Sequence, residues 1–186
     1  MSKTKKSVIT GPTVLTISRM LLVIPFMICC MMEGTAPKIL ALTLFSIACI
    51  TDKIDGKWAR KQNLVTDMGA FLDPLADKML VDIAFLALVY MSVIPVWMFA
   101  VIIVRDLAVD GMRMMAAREG ITIAASFYGK LKTTVQMITL ISILANTIIN
   151  NEVLGIVNTV LLYIVVILTV FSGLDYLIKG WKKVIK

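Results

Sequence analysis

Six apolar runs, each close to the ~20 residues that an α-helix needs to cross a bilayer, take up most of this 186-residue chain. They lie at about 13–32, 37–57, 68–91, 94–115, 131–149 and 153–174. Short breaks separate them: "EGTAPK" and "YMSVIP" carry Gly or Pro, "NNE" is a tight polar turn, and "REGITIAASFYG" is a longer connector. Hydrocarbon offers no partner to a backbone N–H or C=O, so a run of this length satisfies its own backbone by becoming a helix. The expected fold is therefore all-α, an integral membrane protein with six transmembrane helices in a single domain, 1–186. The charged fraction of 17% agrees, lying below the quarter or so usual for soluble chains. The first run is full length and lacks a small-residue cleavage site, so no cleavable signal peptide is expected.

An even number of spans puts both ends of the chain on one side. Of 19 Lys and Arg, all but Lys38 then fall on that side, which the positive-inside rule makes cytoplasmic. The net charge of +7 thus describes a basic face suited to anionic headgroups or phosphorylated substrates. Nucleic acid is not the expected partner, because these cations edge apolar spans and are not interleaved with exposed aromatics. The basic, aromatic end "DYLIKGWKKVIK" reads as an interfacial helix end. Cys29, Cys30 and Cys49 lie in apolar runs without metal-ligand spacing and read as small packing or lipid-facing residues. The chain has no histidine, which excludes His bases, His ligands and a Ser-His-Asp triad. If it is an enzyme, carboxylates do its acid–base chemistry.

Those carboxylates are concentrated. "TDKIDGKWARKQNLVTDMGAFLDPLADK", residues 51–78, holds Asp52, Asp55, Asp67, Asp73 and Asp77. On helices, Asp52 and Asp55 share one face, and Gly69, Asp73 and Asp77 fall on another stripe. Like charges this close to a low-dielectric boundary either protonate or take up a cation. Oxygen donors without Cys or His suit a hard ion, Mg²⁺ or Mn²⁺. Gly56 and Gly69 would let a ligand or helix approach the backbone closely, and Arg60 offers a planar fork to phosphate or carboxylate. A single aspartate here is equally consistent with a solvated interfacial collar, and Asp82, deeper in the third run, reads better as a helix–helix hydrogen bond or a neutral acid than as a catalytic group. Paired carboxylates could also mark a divalent-cation or proton-coupled transporter, although the acids cluster at one interface and no inverted copy of the cluster appears in the second half.

"DKIDGKWAR", eight further residues and "GAFLDPLAD" fit the pattern DxxDGxxAR(x8)GxxxDxxxD, and on these residues the chain resembles the CDP-alcohol phosphatidyltransferases. The resemblance implies six membrane helices, usually a homodimer, and metal-dependent transfer of a phosphatidyl group from CDP-diacylglycerol to an alcohol with release of CMP. "LTISRMLLVIP", "MGAFLDPLADK", "IPVWMFAVIIVRD" and "GKLKTTVQM" resemble the bacterial branch whose acceptor is sn-glycerol 3-phosphate. Cardiolipin, phosphatidylserine and phosphatidylinositol phosphate synthesis stay open as alternatives on the aspartate pattern alone. Lys53 and "GPTVLT" depart from what relatives often carry, and the last two spans add no block.

By that resemblance Asp52, Asp55 and Asp73 hold metal, two divalent ions in all, with Asp77 near the second ion and acting as the general base. Gly56, Ala59, Arg60, Thr66 and Gly69 line the site for CDP-diacylglycerol. The acceptor brings a phosphate of its own, for which Arg105, Arg113, Lys130 and Lys132 are the candidates, the arginines standing two turns apart on one helix face. Their alternative is the basic collar. Arg19, inside the start of the first run, is expected to pair with an acid or a phosphate, and Asp106 and Asp110 to balance the arginines. The expected location is the cytoplasmic membrane of a bacterium, with membrane lipid around the spans and the site facing the cytoplasm.

Overall fold

A computed structural model describes the backbone of residues 11–61, 67–119 and 127–184 and the side chains of 16–51, 75–76, 78–116, 118–119 and 127–178. Among the described residues the regular structure is helical throughout: α1 (Gly11–Met31), α2 (Thr35–Lys61), α3 (Asp67–Tyr90), α4 (Val96–Arg118), α5 (Phe127–Ile149) and α6 (Glu152–Val184). Each apolar run has become one helix. Where helices outrun the expectation they do so at polar ends, as α2 does to Lys61 and α6 to Val184, because backbone hydrogen bonding continues after hydropathy has fallen.

The turns follow from local chemistry. Gly34, between α1 and α2, has φ +111°, a conformation that a side chain would strain. Asn150 takes the left-handed region at φ 53° after α5. Asn151 then caps α6, its side-chain oxygen accepting from the Leu154 N–H at 3.0 Å.

The helices form two compact units, residues 1–91 and 92–186. In the first, α1 packs against both α2 and α3. Phe26 and Phe45 are buried against each other across α1 and α2, their rings tilted by 38° with centroids 5.8 Å apart. Cys29, Cys30 and Cys49 are buried and form no disulfide, packing residues as expected. Leu80, Ala84, Phe85 and Leu88 supply the buried stripe of α3. In the second unit α6 is central and packs against α4 and α5. Val109 and Met112 of α4 close on Tyr176 of α6.

The side-chain distribution of α6 is inverted relative to a water-soluble helix. Asn158, Thr169 and Ser172 are buried, whereas Val153, Ile156, Val160, Ile167, Phe171 and Ile178 are exposed. That apolar face runs for roughly 38 Å at 1.5 Å per residue, enough to cover a bilayer's hydrocarbon core. By length and composition α5 and residues 152–178 of α6 can cross a membrane, and Thr16–Met31 and Thr35–Thr51 are shorter apolar helices. The architecture is thus the expected all-helical one, and among the described residues two helices are long and apolar enough to span, where six spans were expected. Arg105, Asp106, Asp110 and Arg113 interrupt the apolar character of α4.

Candidate functional site

In the first unit the aspartate pattern falls on the last turns of α2 and the first turns of α3. Asp52, Asp55, Gly56, Ala59 and Arg60 are in α2, and Gly69, Asp73 and Asp77 are in α3. The chain between the two helices is only residues 62–66. The side chains of these positions, and Thr66 altogether, lie outside the described residues. Among the described residues no group of three Cys, Asp or Glu could hold a metal ion. Arg19 is buried on α1, one turn from the buried Thr16, and Asp82 is half-buried on α3.

The second unit contains a buried ionic cluster. Lys132 of α5 donates from Nζ to both carboxylate oxygens of Asp106 on α4, at 2.6 and 2.8 Å. Arg105 donates from Nη1 to the same Oδ1 at 2.8 Å. Its Nη2 donates to the Ser172 hydroxyl of α6 at 2.9 Å. The Ser172 hydroxyl in turn donates to the Thr169 carbonyl, at 3.2 Å. Lys132 and Asp106 are both buried, with Lys132 only 3% exposed. Three charge-assisted bonds converge on one carboxylate, which is what makes a buried acid tolerable. Asp106 therefore does balance Arg105, as expected, and it also holds Lys132. Among these contacts two cations meet one anion, an arrangement that favours a further anion nearby.

Arg113, two turns beyond Arg105, is bound differently. Its Nε donates to the Tyr176 hydroxyl at 3.0 Å, and its guanidinium carbon lies 5.1 Å from the Tyr176 ring centroid. Arg113 is exposed whereas Tyr176 is buried, so the ring steadies a cation whose end reaches solvent. Lys130 is exposed at the start of α5, two residues before Lys132 and on a different face of the helix.

Of the four cations predicted for an acceptor phosphate, Arg105 and Lys132 thus share Asp106, while Arg113 and Lys130 are open to solvent. Ser172, Gly173 and Tyr176 are functional candidates that the sequence reading passed over. A Cβ on Gly173 would lie 2.7 Å from Cγ of Arg105, so the arginine's stem rests against the α6 backbone. The signal available in sequence was "SGLDY", a small pair followed one turn later by Tyr within an otherwise oily helix. Next along α5, Gln136 is buried, and its Nε2 has no hydrogen-bond partner among the described residues.

Known proteins align with this chain over most of its length. The model of the CDP-alcohol phosphatidyltransferase family matches residues 9–171. The CDP-diacylglycerol–glycerol-3-phosphate 3-phosphatidyltransferase of Bacillus subtilis (strain 168) is 44% identical over 139 residues, covering 75% of this chain and 72% of the relative. The protein of the same name from Escherichia coli (strain K12) is 36% identical over 170 residues, 89% of this chain and 92% of its own. That from Rickettsia bellii (strain RML369-C) is 34% identical over 173 residues, 92% and 95% respectively.

Proposed function

The chain belongs to the CDP-alcohol phosphatidyltransferase family, and from that premise we infer that it transfers the phosphatidyl group of CDP-diacylglycerol to sn-glycerol 3-phosphate. The products are phosphatidylglycerophosphate and CMP, which makes the protein a transferase of phospholipid biosynthesis. The observation that carries this reading is that relatives 34–44% identical over at least 75% of the chain bear that enzyme's name. The two cations gathered on Asp106 support the choice of an acceptor that is itself a phosphate.

The family works with divalent metal, and the residues fit such a group. Asp52 and Asp55 stand three apart on α2, and Asp73 and Asp77 four apart on α3, offering oxygen donors alone. Two ions, Mg²⁺ or Mn²⁺, would neutralise the diphosphate when bound and make the attacked phosphorus more electrophilic. Asp52, Asp55 and Asp73 would hold them, with Asp77 close to the second. Asp77 would accept the proton of the acceptor's hydroxyl as that oxygen forms its bond to phosphorus and the bond to the CMP oxygen breaks. Gly56, Ala59 and Gly69 would leave room for the nucleotide, with Thr66 and Arg60 meeting its polar groups. Arg105, Arg113, Lys130 and Lys132 would receive the acceptor's phosphate.

We place the enzyme in the bacterial cytoplasmic membrane as six spans with the site facing the cytoplasm. The sidedness of Lys and Arg supports this, as does the lipid-length apolar face of α6. A family match running through both compact units supports one functional domain, and family habit supports a homodimer. The test is CMP release by detergent-purified protein from CDP-diacylglycerol, offered glycerol 3-phosphate, glycerol, serine or inositol phosphate. Release should require glycerol 3-phosphate, cease on chelation and return with Mg²⁺ or Mn²⁺. Release with another acceptor alone would keep the transferase and overturn the acceptor.

A further inference from the structure

Two of the three arginines of α4 end on α6, a helix that holds no Lys or Arg before Lys179. Arg105 reaches Ser172 and Arg113 reaches Tyr176. Eight residues separate the arginines, about 12 Å along their helix, whereas their partners are four residues apart, about 6 Å. The guanidinium groups are therefore anchored at about half the spacing of their Cα atoms.

The two anchors leave different parts of each arginine available. Arg105 spends Nη1 on Asp106 and Nη2 on Ser172, and its Nε is buried without a hydrogen-bond partner among the described residues. Its stem is pinned as well, because Gly173 leaves no space for even a methyl group beside Cγ. Arg113 is held by Nε alone, which leaves Nη1 and Nη2, the fork that grips two oxygens of a phosphate, without a described partner. Tyr176 can hold that position because its ring is packed against Val109 and Met112.

We infer that Ser172, Gly173 and Tyr176 of α6 are positioning residues for acceptor recognition: Tyr176 presents the Arg113 fork to the acceptor's phosphate, while Ser172 and Gly173 lock Arg105 against Asp106 as a fixed positive charge behind it. The inference rests on the reading of the acceptor as glycerol 3-phosphate. It divides three of the four candidate cations by role, with Arg113 making contact and Arg105 and Lys132 setting the field.

The experiment is steady-state CMP release by the full-length protein, titrating glycerol 3-phosphate and CDP-diacylglycerol separately, alongside thermal unfolding of each variant. Tyr176→Phe removes one oxygen and almost no volume. It should raise KM for glycerol 3-phosphate roughly three- to tenfold, the worth of a hydrogen bond that orients a charged group, with kcat, KM for CDP-diacylglycerol and the unfolding midpoint unchanged. Gly173→Ala should raise the same KM by about tenfold or more, because it displaces a locked arginine. In an Arg105→Ala background, where no Cγ remains to be met, Gly173→Ala should cost nothing further. Leu174→Ala, exposed on the other side of the same turn, should match the wild type. Variants that lower the unfolding midpoint or kcat and leave KM for glycerol 3-phosphate alone would overturn the inference and make α6 a packing element only. An equal penalty from Gly173→Ala with and without Arg105 would overturn it too. Tyr176→Phe decides the matter even where Gly173→Ala yields no folded protein. Failure of the underlying reading is visible before any variant is made, as a wild-type enzyme that does not use glycerol 3-phosphate, and the inference falls with it.

Discussion

Asp52, Asp55, Asp73 and Asp77 occupy the end of one helix and the start of the next in the first unit, all within a single stretch of chain. In the second unit Asp106 is completed by Arg105 beside it and Lys132 on another helix, and Arg105 in turn reaches Ser172, 67 residues away, on a third. The first arrangement is written along the chain and can be spotted as a pattern. The second exists only after three helices have packed. A reaction that handles a nucleotide diphosphate needs several like charges near one another, and a short helix–loop–helix segment can supply them without long-range folding. Recognition of a small acceptor needs cations held at a fixed separation, and that precision comes from neighbours whose own positions are set by packing.

The contrast predicts different failures. Asp77→Asn should have the largest effect on chemistry, lowering CMP release by roughly 10³-fold, within the range of a general base, while helicity and unfolding stay as in the wild type. Loss of folded protein in that variant would mean that the carboxylate is structural, and the contrast between the two units would then shrink. Asp106→Leu should fail the other way. It strands two cations among three helices and should cost about 3–5 kcal/mol of stability, the usual penalty for breaking a buried pair from one side. Adding Lys132→Met should recover much of that loss, because an apolar side chain of similar length replaces a buried cation that has lost the carboxylate holding it. The double variant would still lack the geometry around Arg105, so its KM for glycerol 3-phosphate should remain raised. Recovery of both stability and KM would show that the cluster serves folding alone.

A polar contact outside the cluster sharpens the comparison. Ser142 of α5 donates to Asn158 of α6 at 2.6 Å, and the Asn158 amide returns to the Ser142 carbonyl at 3.4 Å. Ser142→Ala should cost about 0.6–1 kcal/mol, as expected for a hydrogen bond between membrane helices, with both KM values unaltered. A change in KM for the acceptor would extend the recognition apparatus a further stretch along α6.

The fold was legible because the bilayer permits so few solutions: apolar runs of the right length, punctuated by Gly34, Pro95 and the Asn150–Asn151 pair, leave helices and turns as the available choice. Helix ends were less legible, since α6 continues through polar residues that hydropathy does not credit. In the site, the aspartates and the four basic candidates could be named from residue type and spacing. The partners of those cations could not. Ser172, Gly173 and Tyr176 are uncharged, so nothing about their own chemistry distinguishes them from packing residues until Arg105 and Arg113 are seen against them. Lys132 shows the same limit from the other side: its sequence surroundings suggest an open cation, and packing gives it a carboxylate.

Lys130 and Lys132 carry this comparison down to a single turn of helix. They have the same chemistry and lie two residues apart, which puts them about 200° apart around the helix axis, so only packing distinguishes them. Lys132 is tied to Asp106, whereas Lys130 is exposed and makes no ion pair among the described residues. A solvated lysine of this kind contributes little to folding, so Lys130→Gln should alter stability by no more than about 0.5 kcal/mol. Its charge can still act at a distance on a phosphate approaching from water, raising KM for glycerol 3-phosphate by about two- to threefold at low salt and fading as ionic strength shortens the Debye length. The tests are an unfolding curve and a pair of acceptor titrations at low and high salt. A salt-insensitive loss as large as that of Tyr176→Phe would mean that Lys130 touches the phosphate directly, and recognition would then draw on α5 as well as on the arginines that α6 holds in place.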